Sequence, residues 1–249
     1  MHTIVSGTER PGNLTTQIAD SLGRAIVGGE FDSRPFPIEA EIGEMFAASR
    51  SVTREAVKML TAKGLISSRP RLGTSVNPQE NWNFLDPDVL RWMLDRDFSI
   101  ALLAEFTAFR RSFEPRAALL ACRNFTPGAH TPIFNALEQM ARAGPMIDDT
   151  IEPDIAFHIA ILDASANRFM RQCRDLTATA LRFSIRITDN PKAVQGADVA
   201  AHGYIAEAIA ARDEEAALHF STILLEEAEA RLASAMAGQG NQRQPQMSA

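Results

Sequence analysis

The chain has 249 residues, 45% of them hydrophobic and 22% charged, with a formal net charge of −6 at pH 7. This composition is typical of a folded soluble protein, and it excludes both a disordered chain and one that binds polyanions over its whole surface. Two cysteines exclude a disulfide framework, and the sequence has neither an apolar signal segment nor a run of ~18 apolar residues, so we expect a cytoplasmic protein without a membrane span.

Three short helices and a hairpin are predicted in the first 78 residues. Apolar residues recur at helical spacing over residues 14–26, and Gly28 with its glycine neighbour ends that helix. A second helix is predicted from residue 38 to about residues 48–49 and a third over residues 50–63. Residues 65–76 fit a two-stranded hairpin around a basic turn. Three helices followed by a hairpin predict a winged helix-turn-helix.

Residues 50–78 reverse the charge of the chain, because they carry six basic side chains and one acidic one, whereas residues 1–49 carry three basic and seven acidic ones. The six are Arg50, Arg54, Lys58, Lys63, Arg69 and Arg71. A local cationic surface on a helix that fits the major groove is what DNA binding requires, and arginine can bridge the O6 and N7 acceptors of guanine. The alternative is a charged face that is simply solvated.

The predicted DNA-binding set combines the start of the third helix with the turn of the hairpin. Arg50 and Arg54 lie one turn apart on the face away from the apolar stripe, where recognition helices meet base edges. Serine hydroxyls and the N-terminal amides of that helix suit phosphate contacts. The full set is Ser49, Arg50, Ser51, Arg54, Arg69, Arg71 and Gly73.

The rest of the chain is predicted to be helical almost throughout, which makes the protein mainly α. We expect the winged helix-turn-helix domain over residues 1–78, a linker and connecting helix over residues 79–96, an all-helical domain over residues 97–236, and a disordered tail over residues 237–249. The helices are predicted at about residues 87–95, 98–123, 130–143, 150–164, 167–188, 197–212 and 213–236.

Asp154 and His158 form the first candidate site in the helical part. They are four residues apart on a predicted helix, so both side chains project from one face. A carboxylate and an imidazole at this spacing can share a transition-metal ion, and His202 on another helix can supply a third ligand. A surface hydrogen bond between Asp154 and His158 is the alternative.

The N-terminal motifs resemble the GntR superfamily of bacterial transcription regulators. The family patterns P-S-E-x-E-L, V-S-R-x-x-V-R-E-A-L and G-x-x-V correspond here to PIEAEI over residues 37–42, SRSVTREAV over residues 49–57 and GTSV over residues 73–76. Thr53 stands where the family usually has an apolar residue, a departure that we expect to weaken packing slightly. The helical part is similar to the effector domain of the FadR-type subfamily, called FCD, and WNFLDPDVLRWML over residues 82–94 looks like the branch that includes a repressor of a galactonate operon.

This resemblance implies a dimeric, ligand-responsive transcription factor rather than an enzyme. It implies repression of a sugar-acid (aldonate-type) catabolic operon, with release from operator DNA when a small carboxylate effector binds. A metal-responsive regulator and a metal-dependent enzyme fused to a DNA-binding domain are the alternatives, although no obvious general base or nucleophile accompanies the metal-binding residues.

The FCD pattern D-x-x-x-H … H … H implies that Asp154, His158 and His202 hold a divalent transition metal such as zinc. The family's fourth ligand position is Leu224 here, which implies weaker retention of the metal. His219 lies five residues earlier, roughly 140° around the helix, and is expected to face elsewhere. Glu227, one turn beyond Leu224, is a substitute that the spacing leaves open.

The same resemblance implies an effector-binding set of Arg110, Glu114 and Asn167. An inward Arg110 suits bidentate capture of a carboxylate, an internal salt bridge to Glu114 is the alternative, and both hold if Glu114 orients Arg110. Asn167 either caps the next helix or lines the pocket. Phe157 and Phe169 are predicted to be core.

Overall fold

The computed structural model describes residues 13–69, 73–96, 99–144, 147–188 and 198–242. The chain divides into two compact units, Met1–Phe98 and Ser99–Ala249. The connecting helix therefore belongs to the first unit. Across the described ranges, no helix is long and apolar enough to cross a membrane.

The first unit has the predicted winged helix-turn-helix arrangement. Its elements are α1 (Leu14–Val27), α2 (Glu39–Met45), α3 (Arg50–Ala62), β1 (Ile66–Arg69), β2 (Gly73–Val76) and α4 (Pro87–Arg96). The two strands are antiparallel, with Ile66 opposite Val76 and Arg69 opposite Gly73. The mainly α fold class is confirmed, since the hairpin supplies the strands of the described chain.

The core of the first unit lies between α1 and α3. Ile18 and Leu22 of α1 are buried against Ala56 and Leu60 of α3 in one apolar cluster. Thr53 lies on the same face of α3 and is 0% exposed. Its hydroxyl oxygen has no hydrogen-bond partner among the described residues. The hydroxyl lies close to Gly43 of α2, where an added Cβ would be 3.7 Å from it. The departure from the family pattern is therefore an unpaired buried hydroxyl.

Lys63 fastens the end of α3 to the start of α4. Its ammonium group donates to both oxygens of Asp86 at 2.7 Å and to Asp88 at 2.9 Å, and its side chain is only 12% exposed. Asp86 in turn accepts from the backbone amide of Asp88 at 2.9 Å, at the N-terminus of α4. Lys63, one of the six basic residues counted in the sequence, therefore forms ion pairs within the unit and is not part of an exposed basic surface.

A second set of contacts holds α4 against α1. The Trp92 ring lies on α1 at Gly23, where a Cβ would come within 2.4 Å of the ring. Asp20 accepts hydrogen bonds from the indole of Trp92 at 2.8 Å, from Arg91 at 2.6 Å and from Arg24 at 2.9 Å. Burial raises the pKa of Asp20, but these donors outweigh it and leave the pKa below its ordinary value.

The second unit consists of helices packed around α5. Its elements are α5 (Ile100–Arg123), α6 (Pro127–Arg142), α7 (Ile147–Ala164), α8 (Arg174–Thr188), α9 (Val199–Ala211) and α10 (Glu214–Gln242). The core combines Ala117 and Ala121 of α5 with Phe157 of α7 and Ile205 of α9. Small alanine side chains let these helices approach closely, and Phe157 is 0% exposed.

Three sequence expectations for the second unit need correction. The helix predicted over residues 167–188 is a 3₁₀ turn, Met170–Cys173, followed by α8. Phe169, predicted to be core, is 80% exposed, because it lies in the turn before that segment rather than on a packed helix face. The last helix continues to Gln242 instead of ending near residue 236, since no proline interrupts it before position 245, and residues 243–249 of the predicted tail lie outside the described chain.

Replacing Thr53 by Val should stabilise the first unit by about 1 kcal/mol, because it removes a buried hydroxyl that has no partner while nearly keeping the shape of the side chain. Denaturant unfolding followed by tryptophan fluorescence measures this unit selectively, since both tryptophans, Trp82 and Trp92, lie in it.

Thr61→Val is the matched control on α3. The Thr61 hydroxyl donates to the backbone carbonyl of Val57 at 2.9 Å, so its removal should bring no gain. A Thr53→Val variant that is less stable than the parent chain would show that the hydroxyl has a partner.

Candidate functional site

The first candidate surface is the N-terminal end of α3. Ser49 caps the helix, with its hydroxyl 3.5 Å from the amide of Val52 and 3.0 Å from the hydroxyl of Ser51. Arg50 and Arg54 are exposed next to it. The Arg54 side chain is 65% exposed, and its Nε atom lies 3.7 Å from a carboxylate oxygen of Glu39. The structure thus presents two hydroxyls, two guanidinium groups and a helix N-terminus on one accessible face.

The hairpin supplies the rest of the predicted set. Gly73 has a φ of +81°, a conformation that glycine adopts without strain, and it pairs with Arg69 at the start of the turn. The side chain of Arg69 and the whole of Arg71 lie outside the described residues. Farther along α3, Lys58 is exposed and pairs with Glu55 at 2.7 Å.

The second candidate site is a buried polar cluster in the second unit. Asp154 and His158 on α7 are 6% and 7% exposed, and His202 on α9 is 2% exposed. One ligand atom from each lies within 4.8 Å of the others. The surface hydrogen bond considered for Asp154 and His158 is excluded, because both side chains point into the unit and their closest atoms are 3.6 Å apart.

The carboxylate of Asp154 faces two imidazole nitrogens. His202 Nε2 lies 3.6 Å from one oxygen and His158 Nε2 lies 3.6 Å from the other. His202 Nδ1 lies 2.8 Å from the backbone carbonyl of Asp198, so Nδ1 donates to that oxygen and Nε2 keeps its lone pair. Burial lowers the pKa of His202, which favours this neutral form.

These three residues fit a divalent transition metal. Asp154 Oδ1 and His202 Nε2 are buried and have no hydrogen-bond partner in the described part of the chain. Buried polar atoms without a partner are costly, and a cation between lone pairs that converge in this way would remove that cost. Ligand atoms bound to one tetrahedral ion lie roughly 3.3 Å apart, and the carboxylate of Asp154 lies 3.6 Å from each histidine nitrogen here.

Arg110 and Glu114 lie beside this cluster on α5, each 3% exposed. Arg110 donates from Nε to one oxygen of Glu114 at 2.6 Å and from Nη2 to the other at 3.1 Å. The second oxygen also lies 2.9 Å from His158 Nδ1. Burial raises the pKa of Glu114, but the charge of Arg110 and the contact with His158 outweigh it and bring the pKa down to about 2.

A cavity of about 70 Å³ opens onto the cluster. Arg110, Asp154, His158 and His202 line one part of it, and apolar side chains including Leu224 line another. A cavity of this size holds a few water molecules, or an ion with a small ligand.

Neither alternative for the fourth ligand reaches the cavity. His219 is exposed, and its ring is tilted against that of Phe220 with ring centroids 5.5 Å apart. Glu227 is exposed as well and pairs with Arg231 at 3.5 Å. Leu224 itself is 8% exposed and lines the cavity, so the helix presents an apolar side chain at the family's fourth position.

Asn167 must be removed from the effector-binding set. Its side-chain oxygen accepts from the amides of Phe169 at 2.9 Å and Met170 at 3.3 Å, so it caps the following 3₁₀ turn, the first of the two roles considered. It is not among the residues that line the cavity.

The cavity includes polar residues that sequence reasoning missed. Thr107 of α5, Ser184 of α8 and Arg231 of α10 all line it. Arg231 lies seven residues after Leu224, a spacing that places both on one helix face, so the pattern offered a signal for it. Thr107 and Ser184 carried no such signal, because only packing between helices brings them to the cavity.

Two family comparisons divide the chain as the structure does. Residues 14–76 match the family described as bacterial regulatory proteins, gntR family, and residues 105–237 match the FCD domain. The FCD match alone covers more than half of the 249 residues.

Two relatives from Escherichia coli K12 align over 161 residues each. One is the helix-turn-helix transcriptional regulator YieP, 38% identical over 64% of this chain and 70% of that protein. The other is the galactonate operon transcriptional repressor, 35% identical with the same coverage.

Among solved structures, the fold is similar to that of Lar from Listeria monocytogenes, with a TM-score of 0.55 and 15% identity over 91% of this chain and 99% of that one. It is also similar to a GntR family member from Pseudomonas syringae pv. tomato, with a TM-score of 0.50 and 17% identity over 96% of this chain and 93% of that one. At these identities the likeness concerns the fold alone.

Adding Zn²⁺ to the metal-stripped chain should raise the thermal unfolding midpoint of the second unit by about 5 °C or more, because an ion that binds only the folded state stabilises it. Far-ultraviolet circular dichroism measures this shift. His202→Ala should abolish it by removing one of the three converging ligand atoms.

His219→Ala is the matched control for His202→Ala, since this histidine lies on the surface, away from the cluster. It should keep the full zinc shift. Equal shifts in the parent chain and in His202→Ala would show that zinc binds elsewhere.

Proposed function

Because the chain belongs to the GntR family of bacterial transcription regulators and carries an FCD effector domain, we propose that it is a repressor of a sugar-acid (aldonate-type) catabolic operon. A small carboxylate effector releases it from operator DNA. It acts in the cytoplasm as a homodimer, whose two recognition helices bind a short pseudo-palindrome. The relative that represses a galactonate operon supports the sugar-acid class.

The observation that carries this proposal is the buried cluster of Asp154, His158 and His202, whose lone pairs converge at a cavity within a chain that also presents a cationic helix N-terminus. Unpaired lone pairs destabilise a structural core, whereas a metal-dependent ligand site requires them.

Asp154, His158 and His202 would hold a divalent transition metal, zinc or a similar ion. When bound, the ion supplies a positive centre that a carboxylate and a neighbouring hydroxyl group can chelate. Three protein ligands leave coordination positions for the effector. Leu224 at the family's fourth position adds no ligand atom, so the protein retains the ion less strongly than a four-ligand site does.

Arg110 supports an anionic effector from beside the metal ligands, since it lines the same part of the cavity. Its Nε and one N–H of Nη2 donate to Glu114, which leaves both N–H groups of Nη1 and the second N–H of Nη2 for a ligand. Glu114 therefore orients Arg110 and does not itself contact the effector. The remaining donors are compatible with the bidentate contact that the family resemblance implied.

The charges at the cavity favour a monoanionic effector. Of the charged residues at the cavity, Arg231 and Asp198 are exposed and opposite in charge, which leaves the buried Arg110 against the two buried carboxyl side chains of Glu114 and Asp154. A divalent ion turns this single negative charge into a single positive one, and one carboxylate then neutralises it. A sugar acid with one carboxylate meets this requirement, whereas a dicarboxylate would leave an uncompensated buried charge.

DNA binding rests on the exposed end of α3. Arg50 and Arg54 would contact base edges, and Ser49, Ser51 and the helix amides would contact phosphates. Arg69, Arg71 and Gly73 complete the surface at the wing. The net charge of −6 limits nucleic-acid binding to this local surface.

Release requires the effector to bind the DNA-incompetent arrangement more tightly, since equal affinity for both arrangements shifts nothing. A 100-fold loss of operator affinity corresponds to about 2.8 kcal/mol of coupling between the two sites, within the usual range for allosteric proteins.

Arg54→Ala should weaken binding to operator DNA by about fivefold or more, because a bidentate arginine–guanine contact contributes about 1–3 kcal/mol. Fluorescence anisotropy with a duplex selected from a random pool by the parent chain measures the affinity. Arg34→Ala, an exposed arginine outside α3 that pairs with Glu30, is the control and should bind normally. Unchanged affinity of Arg54→Ala would show that another face contacts DNA.

A panel of sugar acids titrated into the zinc-loaded protein–DNA complex should identify one that releases the duplex. His158→Ala should bind the duplex normally but lose this release, since it removes a metal ligand without touching α3. A normal dose response in His158→Ala would place the effector site elsewhere. Release by metal exchange alone would identify a metal-responsive regulator, and consumption of the sugar acid would identify an enzyme.

A further inference from the structure

The two histidines of the cluster are oriented by different kinds of group. His202 is held through Nδ1 by the backbone carbonyl of Asp198, at 2.8 Å, which no substitution removes. His158 has its Nδ1 atom 2.9 Å from a side-chain oxygen, that of Glu114 on α5. The orientation of His158 therefore depends on a residue 44 positions away in the chain.

The contact with Glu114 determines which nitrogen of His158 carries the proton. An ionised carboxylate can only accept a hydrogen bond, so at 2.9 Å the Nδ1 atom must be the donor. In the neutral ring Nε2 then keeps its lone pair, and Nε2 is the atom that lies 3.6 Å from Asp154.

Arg110 also approaches His158 Nδ1, with Nη2 at 3.4 Å, a contact that would favour the opposite tautomer. Two distances favour the tautomer that donates to Glu114. The Glu114 contact is shorter by 0.5 Å, and the same Nη2 atom already donates to Glu114 at 3.1 Å. In the opposite tautomer, Nε2–H would also be too far from Asp154, at 3.6 Å, for a hydrogen bond.

We propose that Glu114, clamped by Arg110, is a positioning residue that holds His158 with Nε2 turned toward the metal and thereby sets the metal affinity. This inference rests on the proposed metal site and goes beyond it, since it moves the Arg110–Glu114 pair from effector capture to support of a metal ligand. A carboxylate that accepts from the far nitrogen of a ligating histidine both orients the ring and raises its basicity.

Two measurements on the full chain test the proposal, with Zn²⁺ as the probe. The first is the zinc affinity of the metal-stripped protein, determined by competition with a chromophoric chelator. Glu114→Gln keeps the size of the side chain but removes its charge, and it should bind zinc at least tenfold more weakly. Glu152→Gln is the matched control, because Glu152 lies on the metal-bearing helix α7 and pairs with Arg182 at 2.9 Å, away from the ligands; it should bind zinc like the parent chain.

The second measurement needs no stable variant at residue 114. Nitrogen-15 spectra of the histidine side chains in the metal-free parent chain, assigned by comparison with His158→Ala, should show His158 with its proton on Nδ1. This signature separates positioning from a merely structural role, since a loosened fold would not select one tautomer.

Each outcome either supports or overturns the proposal. Weaker zinc binding by Glu114→Gln, together with the Nδ1–H form in the parent chain, supports the proposal. Zinc affinity of Glu114→Gln within twofold of the parent overturns it, as does the Nε2–H form in the parent chain, and either leaves the metal site standing. Failure of the parent chain to bind zinc overturns the metal site itself and this proposal with it.

Discussion

The buried carboxylate of Asp154 is the constraint on which the second unit depends. One of its oxygens lies 3.6 Å from His158 Nε2 on α7, and the other lies 3.6 Å from His202 Nε2 on α9. Among the described residues, Asp154 Oδ1 and His202 Nε2 have no hydrogen-bond partner. Elsewhere the helices of this unit meet through apolar side chains, many of them alanine. At this point they bury polar atoms without hydrogen-bond partners, an arrangement that could hold a cation and that supports the proposed site.

In the first unit, by contrast, several charged side chains are paired with one another. Lys63 is shared between Asp86 and Asp88, and Asp20 accepts from three donors on α1 and α4. These contacts make the connecting helix part of the unit that carries the recognition helix, so α3 and α4 are expected to move together when the protein changes state. The arginines at the start of α3 are exposed instead, and the contact of Arg54 with Glu39 is long, at 3.7 Å.

The two units carry different features, a cationic surface in the first and a small cavity in the second. One presents a local cationic surface in a chain of net charge −6, which confines nucleic-acid binding to a single face. The other encloses a small cavity in which a metal, Arg110 and an apolar wall that includes Leu224 would select a ligand by charge and size. In the proposed site, Leu224 at the fourth position would leave more of the metal's coordination to the effector, so metal retention would depend on the presence of the effector.

The sequence by itself determined the helices, the hairpin and the pairing of residues one turn apart. Helical periodicity and glycine stops predicted α1 and α3, and the spacing of Asp154 and His158 placed both on one face, because these features depend only on the geometry of a single helix. Tertiary structure decided what each face meets. Periodicity within one helix does not specify how helices distant in sequence pack against each other. That packing decides the contact of Glu114 with His158, the ion pair of Lys63 near the start of α4 and the exposure of Phe169.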